Sequence, residues 1–163
     1  MCIRDSLSTV FTDIVSSTEQ LSSLGDRKWS SLLDAHDRAV RRQLEHFGGR
    51  EVNTTGDGFV AAFETPSAAV RCAAMIVNAL AEMQIEVRAG VHAGECELRG
   101  DDIAGMSVHV AARVAGAAAP GEVLVSRTIV DLLLGSGLPF VDRGEHTLKG
   151  LPGPWSLFAF DRG

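Results

Sequence analysis

Residues 50–63 read REVNTTGDGFVAAF. Arg50 to Thr54 and Phe59 to Phe63 are two short strand candidates, and Gly56-Asp57-Gly58 between them makes a tight turn. The pattern is a β-hairpin with an aspartate at its tip. Upstream, Leu7 to Val15 (LSTVFTDIV) is rich in β-branched and apolar residues and reads as a strand. Between strand and hairpin, Ser16-Ser17-Thr18-Glu19 resembles a helix start, and Gly25-Asp26 breaks that short helix. Trp29, Leu33, His36, Val40, Leu44 and Phe47 then recur at spacings of three and four, one face of an amphipathic helix that Gly48-Gly49 ends.

After the hairpin, Thr65-Pro66 opens a helix whose buried stripe is Val70, Ala73, Ala74, Val77, Leu80 and Ala81. Glu86 to Ala93 alternates as a strand, and Glu95 to Arg99 is expected to pair with it through a turn at Gly94. Residues 101–105 read as a loop, and Val108 to Ala118 as a small-residue helix stopping before Pro120-Gly121. Glu122 to Ser126 is a strand, with Ser126 placed to cap a short helix to Leu134. Phe140 to His146 and Trp155 to Phe160 are the last strands, joined by the turn at residues 150–154. The order β-α-α-β-β-α-β-β-α-β-α-β-β contains a βαββαβ core. It predicts an α+β, ferredoxin-like fold with additional C-terminal strands and an antiparallel-containing sheet covered by helices.

Composition narrows the function. The 163 residues suit one domain, and 45% hydrophobic content supplies a core. A net charge of −6 excludes a general nucleic-acid binder, which needs a positive footprint. A single nucleotide is still compatible, because metal ions can supply local positive charge. Cys2, Cys72 and Cys96 show no metal-binding spacing and point to a reduced, cytoplasmic setting. No apolar run approaches the ~20 residues of a membrane span. Residues 1–6 (MCIRDS) lack the charged start and apolar stretch of a signal peptide and fit no helix or strand period. They are set aside as a leader or scar, leaving residues 7–163 as the domain.

In a ferredoxin-like layout the first strand and the hairpin are neighbours, so Asp13 and Asp57 come together from distant positions. Singly, Asp57 reads as a solvated turn aspartate and Asp13 as a helix cap. Together they make an oxygen site for a hard cation such as Mg²⁺, which takes one or two carboxylates plus substrate phosphates. Two such ions can hold the attacking and the leaving oxygen of a phosphoryl transfer. The helix start after FTDIV adds backbone N–H groups able to hold phosphate oxygens.

The ordered set FTDIVSST, EVNTTGDGF, RAGVHAGE, DDIAGMSVHVAARV, PGEVLVS and LKG resembles the class III adenylate/guanylate cyclase catalytic domain of bacterial type. The resemblance runs from about Leu7 to Phe160. It implies that Asp13, Asp57 and the carbonyl of Ile14 bind two Mg²⁺ or Mn²⁺ ions, with Val15, Ser16, Ser17 and Thr18 cradling the triphosphate. Asn53 and Asp102 fall at base-reading positions. A carboxylate suits the N6 donor of adenine and suits guanine's O6 acceptor poorly. Arg113 matches the arginine that stabilises charge on the α-phosphate. His109, one turn earlier, shares its helix face, and Lys149 matches the lysine that meets the β- and γ-phosphates. The implied activity is conversion of ATP to 3′,5′-cyclic AMP and pyrophosphate, in intracellular signalling, at the interface of a head-to-tail, two-fold homodimer.

Three positions depart from the family pattern: Asn53 replaces a usual lysine, His109 a usual asparagine, and Ser16 a common glycine. The first two motivate an alternative, a cyclase-like domain that binds nucleotide with little or no turnover. A guanylate cyclase is a further alternative, opposed by Asp102. A GGDEF-type enzyme is disfavoured because the hairpin reads Gly-Asp-Gly-Phe. Elsewhere, His92 among apolar neighbours reads as a satisfied core histidine, Trp29 and Trp155 as packing, and Glu95 and Glu97 as a solvated face.

Overall fold

The computed structural model describes residues 3–55, 58–99 and 102–162, with backbone alone at residues 3, 4, 53–55 and 99. The chain runs β1 (Ile3–Ile14), α1 (Ser17–Leu24), α2 (Asp26–Phe47), β2 (Arg50–Thr55), β3 (Gly58–Phe63) and α3 (Pro66–Glu82). It continues with β4 (Val87–Arg99), β5 (Asp102–Ala104), α4 (Met106–Ala117), β6 (Val123–Ser126), α5 (Arg127–Leu132), β7 (Phe140–Thr147) and β8 (Pro154–Phe160). The strands form one sheet in the order β2-β3-β1-β4-β6-β8-β7, with β5 attached to the outer half of β4. Only the β4–β6 pairing is parallel among the described residues. The predicted α+β sandwich with a βαββαβ core and added C-terminal strands is therefore the observed architecture.

Period-2 alternation along β4 divides the layers. Val87, Ala89, Val91 and Ala93 enter the core with Val40 and Leu44 of α2, Val70 and Val77 of α3, and Ile129 of α5. On the opposite face α4 packs through Val110 and Val114 against Leu124, Leu157 and Ala159. The long periodic helix holds as expected: His36, Val40 and Leu44 are buried, and Trp29, Leu33 and Phe47 pack at the edge of the same core. Gly48 ends it at φ 72°, where only glycine avoids a Cβ clash. The Thr65 side chain accepts from the Ala68 N–H at 3.3 Å, so the predicted N-cap is real. Ala81, expected in the buried stripe of α3, is exposed, while Cys72 and Ile76 are buried there. No helix among the described residues is long and apolar enough to cross a membrane.

Four local expectations change. The strand β1 begins at Ile3, so residues 3–6, set aside from the sequence, pair with Glu95 to Leu98. A ladder is made by backbone groups and needs no side-chain period. Gly94 makes no turn, because β4 runs straight through it. The outer half of β4 pairs instead with β5, formed by residues expected to be loop. Finally, Ser126 precedes α5 without a side-chain cap bond. Its Oγ is 2.6 Å from His92 Nδ1, and this hydrogen bond satisfies the buried ring.

The α4 layer is seated by glycines. A Cβ built on Gly90 would lie 2.3 Å from Ala115 N and 2.4 Å from Ala111 O, so the α4 backbone rests directly on the strand. A Cβ on Gly94 would lie 2.2 Å from Ser107 Oγ. Both glycines are needed for close approach. Gly90→Ala is expected to destabilise the fold by about 2–3 kcal/mol, the cost of overpacking against backbone. Gly116, which has open space around it, gives the contrast: Gly116→Ala should stabilise by roughly 0.5–1 kcal/mol. Urea denaturation of both variants checks the pair.

His92 is 8% exposed, and burial lowers its pKa to about 4. Its Trp155 neighbour sits edge-on at 5.8 Å between ring centroids. The folded state holds the neutral ring, whereas the unfolded chain takes up a proton near the ordinary value of about 6.5. Stability is therefore full above pH 6.5 and falls as pH drops through the window from 6.5 to 4. The expected loss at pH 4.5 is about 2–3 kcal/mol. Denaturant unfolding at pH 7 and 4.5 should show a smaller difference between the two pH values for His92→Asn than for the wild type.

Candidate active site

Asp13 lies at the end of β1, and its register partners are Gly58 on β3 and Arg88 on β4. Gly58 follows Asp57 in the sequence; Asp57 itself lies outside the described residues. Arg88 is directly opposite Asp13 on the same face of the sheet. Its Nε donates to Asp13 Oδ1 at 2.9 Å and its Nη2 to Oδ2 at 3.3 Å. Its Nη1 donates to the Gly116 carbonyl of α4 at 3.2 Å. The sequence reading did not single out Arg88. The signal was an arginine among small and apolar residues at the start of the strand (VRAGV), and its meaning depends on a register that only the fold supplies.

Asp13 thus presents both carboxylate oxygens to a cationic group, at a sheet end where its side chain is 25% exposed. That arrangement fits a hard divalent cation. Among the described residues no three His, Cys, Asp or Glu side chains gather as a cage, and Mg²⁺ or Mn²⁺ completed by substrate phosphates needs none. Ile14 buries its side chain at 3% exposure, so only its backbone could serve a metal.

The next residues form a braced loop. Val15 N donates to Glu86 O at 2.9 Å, and Val15 O accepts from Gln20 Nε2 at 2.9 Å. Ser16 adopts φ 58°, ψ 37°, in the left-handed region. For a residue with a Cβ that conformation costs roughly 1–2 kcal/mol, a cost glycine would avoid. No side chain caps α1, so the first-turn amides at Ser17 and Thr18 lack a side-chain acceptor from the cap residue.

The base-reading candidates come from different parts of the chain. Asn53 pairs through its backbone with Val60, just past a register shift in β2. Asp102 opens β5 as an exposed side chain, its Oδ1 accepting from Ile103 N at 2.9 Å. Val52 and Ile103, their immediate neighbours, share one apolar cluster with Ala62, Cys96 and Val108. Packing of those apolar residues therefore brings the two segments together.

On α4, Met106, His109, Arg113 and Gly116 form an exposed stripe, while Val110, Ala111, Val114 and Ala115 face the sheet. His109 and Arg113 lie one turn apart on the outer side, as their spacing predicted. Leu148 is 5% exposed and packs with Leu151 and Trp155 against Val110 and Val114. Its neighbour Lys149 is thereby held beside the helix. Arg113 and Lys149 line one cavity of about 330 Å³, together with Ala112, Gly116, Ala117, Thr147 and Leu148. Neither Asp13 nor Asp102 lines it. Two exposed cationic side chains at one cavity suit a polyanion.

A model of the adenylate and guanylate cyclase catalytic domain matches residues 3–161. A putative adenylate cyclase of Rhizobium meliloti is 34% identical over 126 residues, covering 70% of this chain and 22% of that protein. An uncharacterized protein of Mycobacterium tuberculosis is 32% identical over 150 residues, covering 91% of this chain and 39% of that protein. The chain thus spans well under half the length of these relatives. Among solved structures, the adenylyl cyclase CyaB of P. aeruginosa superimposes with a TM-score of 0.93 at 21% identity, covering 100% of this chain and 97% of that one. The guanylate cyclase domain of RhGC from Catenaria anguillulae gives 0.88 at 18% identity, covering 98% of each. These two likenesses establish the fold, and the family-wide match over residues 3–161 establishes more: this chain belongs to the adenylate and guanylate cyclase catalytic domain family.

Proposed function

We propose that the domain is an adenylate cyclase, converting ATP to 3′,5′-cyclic AMP and pyrophosphate with two Mg²⁺ or Mn²⁺ ions at a head-to-tail, two-fold homodimer interface. The observation that carries this reading is the cavity shared by Arg113 and Lys149, with no carboxylate among the described residues that line it. A triphosphate seated there needs carboxylate-held metal from outside the cavity, and in the head-to-tail dimer that the family resemblance implies, Asp13 and Asp57 of the second copy would supply it. The exposed α4 stripe, with Met106 at 62% exposure, is a surface that such a partner would cover.

When bound, the ions would supply Lewis acidity, lowering the pKa of the ribose 3′-hydroxyl and neutralising the phosphate charge. Asp13, Asp57 and the Ile14 carbonyl would hold them. The Val15 amide is already bonded to the Glu86 carbonyl, so within the Val15–Thr18 loop phosphate oxygens are received on the amides of Ser16, Ser17 and Thr18. Asp102, oriented by the Ile103 amide, accepts from the adenine N6 amine, and Asn53 donates or accepts beside it. Arg113 stabilises the charge that builds on the α-phosphate, with His109 donating to a nearby ribose or phosphate oxygen. Lys149 holds the departing pyrophosphate. The exposed acceptor at Asp102 supports ATP over GTP.

Purified domain incubated with ATP or GTP and Mg²⁺ or Mn²⁺ tests the reading, and cyclic AMP from ATP is the expected product. Absence of cyclic product under every condition would favour the binding-only alternative. Arg113→Ala should lower kcat by roughly 10²–10³-fold, and Asp13→Asn should abolish turnover. Mixing these two inactive variants in equal amounts should restore about a quarter of wild-type activity, because half the dimers gain one intact site. No recovery in the mixture, with exchange of subunits demonstrated, rejects the shared-site dimer.

A further inference from the structure

We infer that Arg88 is an internal competitor for divalent cations at Asp13, so that the nucleotide-free chain disfavours free metal. The inference rests on Asp13 being a metal ligand, as proposed above. The guanidinium fork takes one lone pair from each carboxylate oxygen, at 2.9 and 3.3 Å. A metal ion bound by Asp13 would have to share or displace these two contacts. The pair is not buried in the core: the side chains are 34% and 25% exposed, so ions can reach it from solvent. The third contact, from Nη1 to the Gly116 carbonyl, keeps the guanidinium at the site even when Asp13 turns towards another cation.

The charges set the consequence. Asp13 and Arg88 cancel, so of the two carboxylates proposed to hold the ions only Asp57 is left to attract an approaching dication. If it binds, it sits beside a fixed positive charge. A ligand bearing several phosphate charges removes that penalty by offsetting both cations. The divalent ions should therefore enter with the polyphosphate and bind weakly without it. Gly116 lies in the Arg113–Lys149 cavity, which ties the resting position of Arg88 to the helix that carries the other cationic group.

Nucleotide-free protein titrated with Mn²⁺, with free Mn²⁺ followed by electron paramagnetic resonance, tests this without turnover. Arg88→Gln should bind Mn²⁺ about tenfold more tightly than wild type, from loss of one unit charge beside a dication. Arg88→Lys keeps the charge and should stay within about threefold of wild type. Adding Asp13→Asn to Arg88→Gln should remove the gain. Circular dichroism establishes that each variant is folded, and Arg88→Met, which keeps the aliphatic stem, replaces the glutamine variant if that one is not. Equal or weaker Mn²⁺ binding in the neutral variant overturns the inference, as does a lysine variant that binds as tightly as the glutamine one. Tighter binding in Arg88→Gln alongside no cyclic product from wild type would leave the competitor standing and remove the cyclase reading. Cyclic product with unchanged Mn²⁺ affinity would do the reverse.

Discussion

At Gly90 a helix backbone lies on a strand backbone with no side chain between them. A Cβ there would fall 2.3 Å from Ala115 N. That contact sets the height and the register of α4 on the sheet. His109 and Arg113 project from the far side of the helix, so their positions follow from it. The Gly116 carbonyl is placed by the same seat, and with it the third anchor of Arg88. The Lys149 loop depends on it too, since Leu148 and Trp155 pack on the inner face of α4. Much of the cationic side of the site is thus positioned by a residue without a side chain.

The opposite side is built by strand register. β1 is flanked by β3 and β4, which brings Gly58 and Arg88 alongside Asp13. Cross-strand pairing then converts two isolated residues, 75 positions apart, into an ion pair. The site combines a rigid helix seat and a sheet end, and both are more exact supports than a free loop.

The sequence revealed much of this, with limits that have physical causes. The strand-helix order was legible because hydrophobic periods of 2 and 3.6 are strong and local. The thirteen-element pattern held even though one piece was assigned differently: Gly94 read as a turn, while β5 supplied the extra strand. A glycine in a strand marks either a break or a close approach, and sequence does not distinguish them. The helix that places His109 and Arg113 on one face was readable from spacing alone. The cavity shared by Arg113 and Lys149 was not, because it depends on a loop packed 36 positions away. Arg88 was missed for the same reason, since its role exists only through register. The reading of His92 as a satisfied core residue held, but its partner Ser126 had been assigned to a helix cap.

Ser16 has a further consequence. Its left-handed conformation is braced by Gln20 on both sides of the bend, through contacts made within the chain itself. The conformational cost is therefore met during folding rather than during binding. A flexible loop would have to lose that freedom each time it closed on an anion, and affinity would fall accordingly. Here the chain gives up some stability in the free state and keeps the amides of α1 already aimed. Serine in place of glycine meets part of that cost itself, because it also restricts the unfolded chain. If the loop binds phosphate as proposed, its strain is part of its readiness.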